Sequence, residues 1–172
     1  MLVQKSAMSH IPYMERTRTY YGALGYPAYQ WASFDDVPFT APGKPLSAST
    51  LVLITTAAPY RPELGDQGPG APYNAAAKFF EVYTMPVDPP PDLRISHIGY
   101  DRAHTTAEDP NTWLPIARLQ EAAAAGRVGA LAERLIGVPT NRSQRVTLDR
   151  DAPAAEAACR ELGADVALLV PT

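Results

Sequence analysis

At 172 residues, 46% hydrophobic and 19% charged, the chain has the size and balance of one globular domain that can bury a core without disulfides. The net charge of −3 and the lack of a Lys/Arg cluster exclude a nucleic-acid partner from our expectations. One cysteine excludes an internal disulfide and a Cys-rich zinc site within these residues. The sequence contains neither a signal-peptide core at residues 1–10 nor a run of the roughly 20 apolar residues that span a membrane. We therefore expect a cytoplasmic protein with no membrane partner.

Residues 1–49 are predicted to form an irregular arm rich in Tyr and Pro. A short helix is expected over Tyr13–Tyr21, ending near Gly22 and Gly25, and the prolines that follow disfavour long regular elements. The aromatic residues of the arm have two interpretations. They fix the arm against its own domain, or they form an oligomer contact, where Tyr and Trp are favoured.

Residues 50–172 are predicted to form an α/β domain, and its first half contains three strand candidates. Thr50–Thr56 is a continuously apolar, β-branched run, which is typical of a strand buried on both faces. A long loop rich in Gly and Pro follows at 57–75. Phe79–Tyr83 is a weaker candidate, and Leu93–Ile98 is the next strand in this prediction.

The second half is predicted to contain two helices and a closing strand, with a further helical turn or a strand edge over Gly129–Leu135 between the helices. The first helix spans Thr112–Ala125, with Asp109 or Asn111 as N-cap and Gly126 at its C-terminal end. The second helix has Asp151 as its predicted N-cap, Pro153 in its first turn and Gly163 at its C-terminal end. It leads into a closing core strand at Asp165–Val170. Alternating strands and helices predict a mostly parallel sheet flanked by helices.

Ligands of such sheets bind beyond the carboxyl ends of the strands. The loops after Thr56, after His97 and after Val170 are therefore the candidate site. The chain reaches Thr172 two residues past the closing strand, where a functional loop would be expected to begin.

The densest polar cluster follows the strand candidate at Leu93–Ile98. Its members are His97, Tyr100, Asp101, Arg102, His104, Glu108, Asp109 and Asn111. Three interpretations stay open. The cluster binds substrate and transfers protons, or it provides only turn and cap residues. A metal held by His97, Asp101 and His104 is the third, although their spacing matches no common zinc signature.

Thr55, Thr56 and a loop with Asp66 form a second candidate rim. No Gly-rich phosphate-binding signature occurs, and we expect no cofactor. Arg118 on the first predicted helix of this domain can hold a carboxylate, or it pairs with a neighbouring glutamate, Glu121 or Glu108. Cys159 lies among alanines, and we interpret it as a buried, inert thiol.

An ordered series of motifs over residues 10–172 resembles the selenoprotein B family of glycine, sarcosine, betaine and D-proline reductases. The series consists of a strand ending in Thr-Thr-Ala, a Gly-Asp loop, Ser-His-x-x-Tyr-Asp, Asp-x-Asn, Pro-x-x-Arg-Leu, and Gly-x-(Ile/Val)-Gly. The positions are Thr55, Thr56 and Ala57; Gly65 and Asp66; Ser96, His97, Tyr100 and Asp101; Asp109 and Asn111; Pro115, Arg118 and Leu119; and Gly126 and Gly129.

The resemblance implies reductive cleavage of a carbon–nitrogen bond in a small amine or amino acid. A selenolate or thiolate is the nucleophile, and a second cysteine resolves the adduct. In this chain those residues are expected directly after Thr172 and are absent, so it should not perform the redox step alone. A UGA codon read as stop, a truncated gene product, or a natural relative without the chalcogen each fit.

The resemblance also implies residue roles and partners. His97, Tyr100 and Asp101 are the expected catalytic residues. The expected substrate-binding residues are Thr55, Thr56, Asp66, Asp109, Asn111 and Arg118. Other reductase subunits and a homo-oligomer are the expected partners. Two alternatives remain, namely a non-catalytic small-molecule-binding or assembly module of the same fold, and a purely structural protein whose arm clamps an oligomer.

Overall fold

In the computed structural model, the described residues are 12–28, 30–38, 40–61, 63, 79–95, 107–140 and 143–172. The chain divides into two compact units, Met1–Phe39 and Thr40–Thr172. None of the helices among the described residues is long and apolar enough to cross a membrane.

Among its described residues the first unit contains one helix, α1 (Tyr13–Ala23), which has no buried residue. It ends where the sequence predicts, because Gly25 takes a positive φ of 79° that other residues rarely adopt. The unit is held by aromatic contacts, including an edge-on pair between Tyr13 and Trp31 with ring centroids 5.8 Å apart.

The second unit has an α/β fold built on a mixed, mostly parallel sheet. Its strands are β1 (Thr50–Thr55), β3 (Tyr83–Pro86), β5 (Ala130–Leu131), β6 (Arg134–Gly137) and β7 (Val166–Val170), while β2 (Ala58–Pro59) and β4 (Leu93–Arg94) form a separate antiparallel pair. In the main sheet β1 is central. It pairs in parallel with β7 on one side and with β5 and β6 in turn on the other.

The core lies on both faces of β1. Leu53 is fully buried in a cluster with Leu135, Ile95 and Trp113, among others. Val52, one residue earlier, points to the opposite face, where it packs with residues of β6 and of a C-terminal helix. The predicted doubly buried strand is confirmed, one residue shorter than expected.

Two strand predictions need correction. The candidate at Phe79–Tyr83 is displaced, since the strand runs from Tyr83 to Pro86 and pairs antiparallel with β6. Leu93–Arg94 does not extend the main sheet, because its backbone pairs with Ala58–Pro59 instead. An apolar run predicts that a strand is buried, but it does not predict with which strand it pairs.

Helix α2 (Ile116–Ala124) begins four residues later than predicted, after a 3-10 turn at Pro110–Thr112. Asp109 caps the 3-10 turn, accepting a 2.9 Å hydrogen bond from the Asn111 backbone N–H. Gly126 has a φ of 69°, as the predicted C-terminal glycine requires. A Cβ on Gly129 would lie 2.8 Å from the backbone at Ala48 and Ser49, so this position requires the close approach that glycine allows.

The last helical segment is longer than predicted and is irregular. It consists of α3 (Gln144–Val146), a π-helical stretch (Thr147–Asp151) and α4 (Ala152–Glu161). Asp151 directly precedes α4 and Pro153 lies in its first turn, as predicted, but Asp151 is itself helical and makes no side-chain cap hydrogen bond to α4. Ser143 is the actual cap, and its hydroxyl accepts a 3.3 Å bond from the Val146 N–H. Gly163 ends α4 with a φ of 62°, as predicted.

The closing strand is present, but the prediction that it lies in the core is wrong. β7 pairs with β1 over five residues, yet Ala167, Leu168 and Leu169 are exposed. In the described part of the chain no strand pairs with its other edge.

Candidate functional site

The carboxyl ends of β1 and β7 lie side by side, because Thr55 pairs with Val170. This is the edge of a parallel sheet at which ligands bind. Thr55 is buried, and its Oγ1 accepts a 3.1 Å hydrogen bond from the Ala57 N–H. The Thr55 hydroxyl therefore stabilises the turn that follows β1.

The Thr56 hydroxyl clasps the residues that follow β7. Its Oγ1 accepts a 2.8 Å hydrogen bond from the Thr172 N–H, and it lies 3.2 Å from the Thr172 carbonyl oxygen and 3.1 Å from Thr172 Oγ1. We call this arrangement the Thr56–Thr172 clasp. It holds the chain that leaves β7 against the chain that leaves β1.

Tyr83 closes this region from the β3 side. Its hydroxyl donates a 2.6 Å hydrogen bond to the Ala57 carbonyl oxygen. Burial raises the pKa of the Tyr83 phenol well above its usual range, so the group stays protonated and acts as a donor. The ring packs against Gly137, where an added Cβ would overlap it.

A cavity of about 340 Å³ lies between the segment Pro90–Arg94 and the segment around the 3-10 turn. Leu93, Trp113, Leu114 and Ile116 contribute apolar surface, and polar groups come from Asp92, Arg94, Glu108 and Asn111. An apolar lining with a few polar groups is typical of small-molecule sites, and the volume falls in their usual range of about 300–1,000 Å³.

Arg94 contributes a positively charged side chain to the lining of this cavity. Its side chain is 12% exposed, its guanidinium lies 4.4 Å from the Tyr60 ring centroid, and it forms an ion pair with Asp92. Arg94 Nη2 donates to Asp92 Oδ2 at 3.1 Å, and Nη1 donates to the Leu93 carbonyl at 3.0 Å. Its buried Nε has no hydrogen-bond partner among the described residues. The cavity therefore presents a buried positive charge that one carboxylate partly neutralises.

The backbone at the cavity wall is strained at Ala107. This buried residue has a φ of 58°, which costs a non-glycine residue of the order of 1 kcal/mol or more. The Trp113 indole N–H holds it there with a 3.1 Å hydrogen bond to the Ala107 carbonyl oxygen. Such strain is concentrated at functional sites.

Asp109, Asn111 and Arg118 interact with one another around the 3-10 turn. Asn111 lines the cavity, and the Asn111 side-chain amide donates to Asp109 Oδ1 at 2.8 Å. The pKa of Asp109 is lowered by the backbone and side-chain hydrogen bonds from Asn111 and by the charge of Arg118. Arg118 itself pairs with Glu121 at 2.6 Å, which is one of the two pairings the sequence leaves open.

Four predicted site residues, His97, Tyr100, Asp101 and Asp66, lie outside the described residues, as does His104 of the metal alternative. Among the residues that the structure describes, no cluster of three metal-ligating side chains occurs.

Cys159 on α4 is half-buried. The pKa of its thiol is raised by burial and then by the negative charge of Glu156, so the thiolate that reacts with electrophiles is disfavoured. The thiol is less buried than predicted, and its raised pKa agrees with the interpretation of Cys159 as inert.

Sequence reasoning missed Arg94, Trp113 and Tyr83 as site residues. The signal for Arg94 was available, because a charged residue inside an otherwise apolar strand candidate must be paired when it is buried. Tyr83 and Trp113 gave no comparable signal, since each side chain donates to a backbone carbonyl, of Ala57 and Ala107 respectively, that no sequence motif marks as an acceptor.

Comparison of the chain with protein-family models, with curated proteins and with solved structures gave no match.

Proposed function

We propose that this chain is the substrate-binding part of a reductase similar to selenoprotein B, which cleaves carbon–nitrogen bonds in small amines or amino acids. The ordered motif series from Thr55 to Gly129 supports the family, and the mostly parallel sheet agrees with it. The observation that carries the proposal is the Thr56–Thr172 clasp. It holds the end of β7, after which the family has its redox residue, beside the Thr-Thr-Ala motif.

The chemistry of the proposal has a simple balance. A chalcogenolate attacks the carbon of the C–N bond, and the amine leaves with a proton. A second thiol then attacks the chalcogen of the adduct, which breaks the chalcogen–carbon bond, and the carbon takes up the second proton. The dithiol, or its selenium equivalent, becomes oxidised, and its two electrons and two protons are delivered to the carbon and the nitrogen. The described chain contains one thiol, that of Cys159. Its pKa is raised, which disfavours the thiolate that the attack on carbon requires.

The cavity beside Arg94 is the proposed binding place for the small substrate. Its volume of about 340 Å³ can hold glycine, sarcosine, betaine or D-proline. Arg94 offers a positive charge for a carboxylate, Asp92 a negative charge for an ammonium group, and Trp113 an aromatic surface. These are the complements of a zwitterion.

The catalytic roles are part of the proposal. His97 supplies a proton to the leaving amine, and Tyr100 and Asp101 assist in the same polar segment. Arg118 positions an acid group, with Asp109 and Asn111 beside it. By the same resemblance the partners are further reductase subunits and other copies of this chain.

The decisive experiment begins with the gene. A UGA or Cys codon directly after the Thr172 codon, with an open frame that continues to a second cysteine, supports the reductase. A UAA or UAG codon at that place overturns it. The continued frame, expressed with Cys in place of any selenocysteine, is then assayed for dithiol-dependent release of amine from the four substrates. His97→Ala and Arg118→Ala variants should both lose activity; wild-type turnover in either would refute its assigned role.

A non-catalytic binding module is the second candidate, and the Arg94 cavity favours it independently of any redox residue. It predicts that the 172-residue chain binds betaine or D-proline in calorimetry, in the absence of thiol. Arg94→Gln should weaken that binding, while Arg145→Gln, which changes an exposed arginine on α3, should leave it unchanged. Binding together with a UAA or UAG codon would select this candidate.

A further inference from the structure

The cavity beside Arg94 is larger than a small amine needs. Its volume is about 340 Å³, whereas an apolar protein cavity of roughly 150 Å³ holds one benzene molecule. Glycine is smaller than benzene, so it would leave more than half of the volume unfilled. Wall atoms without a partner forgo the contacts that stabilise a bound ligand, so the volume favours a ligand with a larger body.

Much of the cavity wall consists of apolar side chains that are themselves buried. Leu93, Trp113, Leu114 and Ile116 line the cavity, and each of them is 7% exposed or less. Each CH2 group that a ligand buries against such a wall strengthens binding about fourfold. An apolar ring or chain on the ligand therefore has a matching surface here.

The wall is also built from conformationally restricted residues. Pro90, Pro91 and Pro110 line the cavity, and the ring of proline fixes its φ. The Trp113 indole is tied to the Ala107 carbonyl oxygen by its 3.1 Å hydrogen bond. Because such a wall does not readily close around a small ligand, the size of the ligand decides how much of the wall it contacts.

The charges of the lining favour a ligand that carries both signs. One lining side chain, Arg94, is a cation, and two, Asp92 and Glu108, are carboxylates. Since Asp92 already pairs with Arg94, a ligand without an amine would add to an excess of negative charge. Arg94 Nε is a buried donor with no hydrogen-bond partner among the described residues, and a ligand carboxylate is a complementary acceptor.

We propose that the ligand of this cavity is an amino-acid zwitterion with an apolar ring or chain of about six carbon atoms, the size that the benzene comparison indicates. This ligand class rests on the proposed function, which assigns the substrate to the same cavity, and it makes glycine and sarcosine poor ligands. N-benzylglycine is a simple probe, because it adds a benzene ring to sarcosine and keeps both charges.

The test is calorimetric titration of the 172-residue chain in the absence of thiol. N-benzylglycine should bind about tenfold or more tightly than sarcosine, since burial of as few as two ring carbons gives such a factor. Benzylamine and phenylacetate each lack one charge, and each should bind about tenfold more weakly than N-benzylglycine. Equal affinity for sarcosine would overturn the size preference, and equal affinity for benzylamine or phenylacetate would overturn the zwitterion.

A substitution at Ala117 tests where the ring binds. Ala117 is exposed on α2 and lines the cavity, so Ala117→Leu narrows the cavity without changing buried packing. It should weaken the binding of N-benzylglycine about tenfold and that of sarcosine about twofold at most.

Ala124→Leu is the matched control for this substitution. Ala124 is also exposed, about two helical turns further along the same face of α2, and it does not line the cavity. Both affinities should stay unchanged in Ala124→Leu. Equal weakening by the two substitutions, or none by either, would overturn the proposed place of the ring.

The titrations distinguish a failure of this ligand class from a failure of the proposed function. If glycine or sarcosine binds more tightly than N-benzylglycine, the ligand class is overturned and the cavity remains the substrate site. If none of the probes binds, the ligand class and the cavity are both overturned as assigned. Dithiol-dependent amine release by the continued frame would in that case still support the reductase, with its substrate bound elsewhere.

Discussion

β1 and β7 are adjacent strands of similar composition that meet opposite environments. They pair in parallel register over five residues, from Leu51 with Val166 to Thr55 with Val170. Within this stretch β1 is buried except at Ile54, which is partly buried, whereas the middle three residues of β7 are exposed. The difference is positional, since β1 has strands on both sides and side chains packed on both faces.

The comparison teaches that an apolar run predicts a buried strand, and that the neighbouring strands and side chains decide whether the strand is buried. β1 is buried within the described chain. β7 stays largely exposed among the described residues, although its five residues are all apolar. The same pair of strands is fastened at both ends, by Asp165 to the Thr50 N–H and by Thr56 to Thr172.

The largest expected effect is the difference in unfolding free energy between a truncation in β1 and one in β7. Leu53→Ala should lower the free energy of unfolding by about 2–5 kcal/mol, because it leaves a cavity in a fully buried cluster. Leu168→Ala, at its register partner, should cost roughly 1 kcal/mol or less in the monomer, because solvent already reaches that side chain. Urea denaturation at low protein concentration measures both. Equal costs would mean that β7 is as well packed as β1.

The second expected effect concerns the other side of β1. Gly137→Ala should cost about 1–3 kcal/mol, because the new methyl group overlaps the Tyr83 ring and displaces its hydroxyl from the Ala57 carbonyl. In a Tyr83→Ala background the same change should cost almost nothing. Gly43→Ala, with open space around it, is the control and should be near neutral. Additive costs in the double variant would show that the ring is not the obstacle.

Much of the second unit could be predicted from local chemistry. The boundaries of β1, the positive φ of Gly126 and Gly163, and the closing strand follow from apolar runs and from the conformational freedom of glycine. The pairing of β4 with β2 could not be predicted, because a two-residue ladder depends on where distant segments meet. The cap at Ser143 was missed for a different reason, because the helical segment starts before α4, with α3 and a π-helical stretch.

For the candidate site, the sequence predicted the position of two residues in the fold but not their contacts. The rule that ligands bind at the carboxyl ends of parallel strands places Thr55 and Thr56 correctly at that edge. It does not reveal that both hydroxyls are already engaged, or that a cavity lies beside Arg94. Those facts depend on contacts between residues far apart in the sequence, such as Thr56 and Thr172.

A smaller effect is expected at the carboxyl-end fastening of the two strands. Thr56→Val removes the acceptor of the Thr172 N–H and should cost about 1 kcal/mol of stability. Hydrogen exchange at Thr172 and Val170 should accelerate, while exchange within β1 stays slow. Thr50→Val, which keeps the backbone N–H that Asp165 accepts from, should leave the exchange at Thr172 unchanged. Unaltered exchange in Thr56→Val would mean that β7 alone positions these residues.

The smallest effect is expected at the opposite fastening, and its sign depends on pH. The hydrogen bonds from Lys44 and from the Thr50 N–H lower the pKa of Asp165 in the folded state. Its contribution to stability is therefore complete above the unfolded-state value of about 3.9 and is lost as the pH falls through the lower folded-state pKa.

Asp165→Asn keeps an acceptor for the Thr50 N–H but loses the ion pair with Lys44. Its melting temperature should fall below that of wild type at neutral pH, and the gap should close as the medium is acidified past the folded-state pKa. Added salt at neutral pH should narrow the gap in the same direction, since the pair is partly exposed. Asp149→Asn, which weakens a looser contact with Arg145 at 3.9 Å, should show a smaller gap throughout. A gap that persists in acid would assign the stabilisation to the shape of the side chain, and the β1–β7 pair would then owe its alignment at this end to backbone pairing alone.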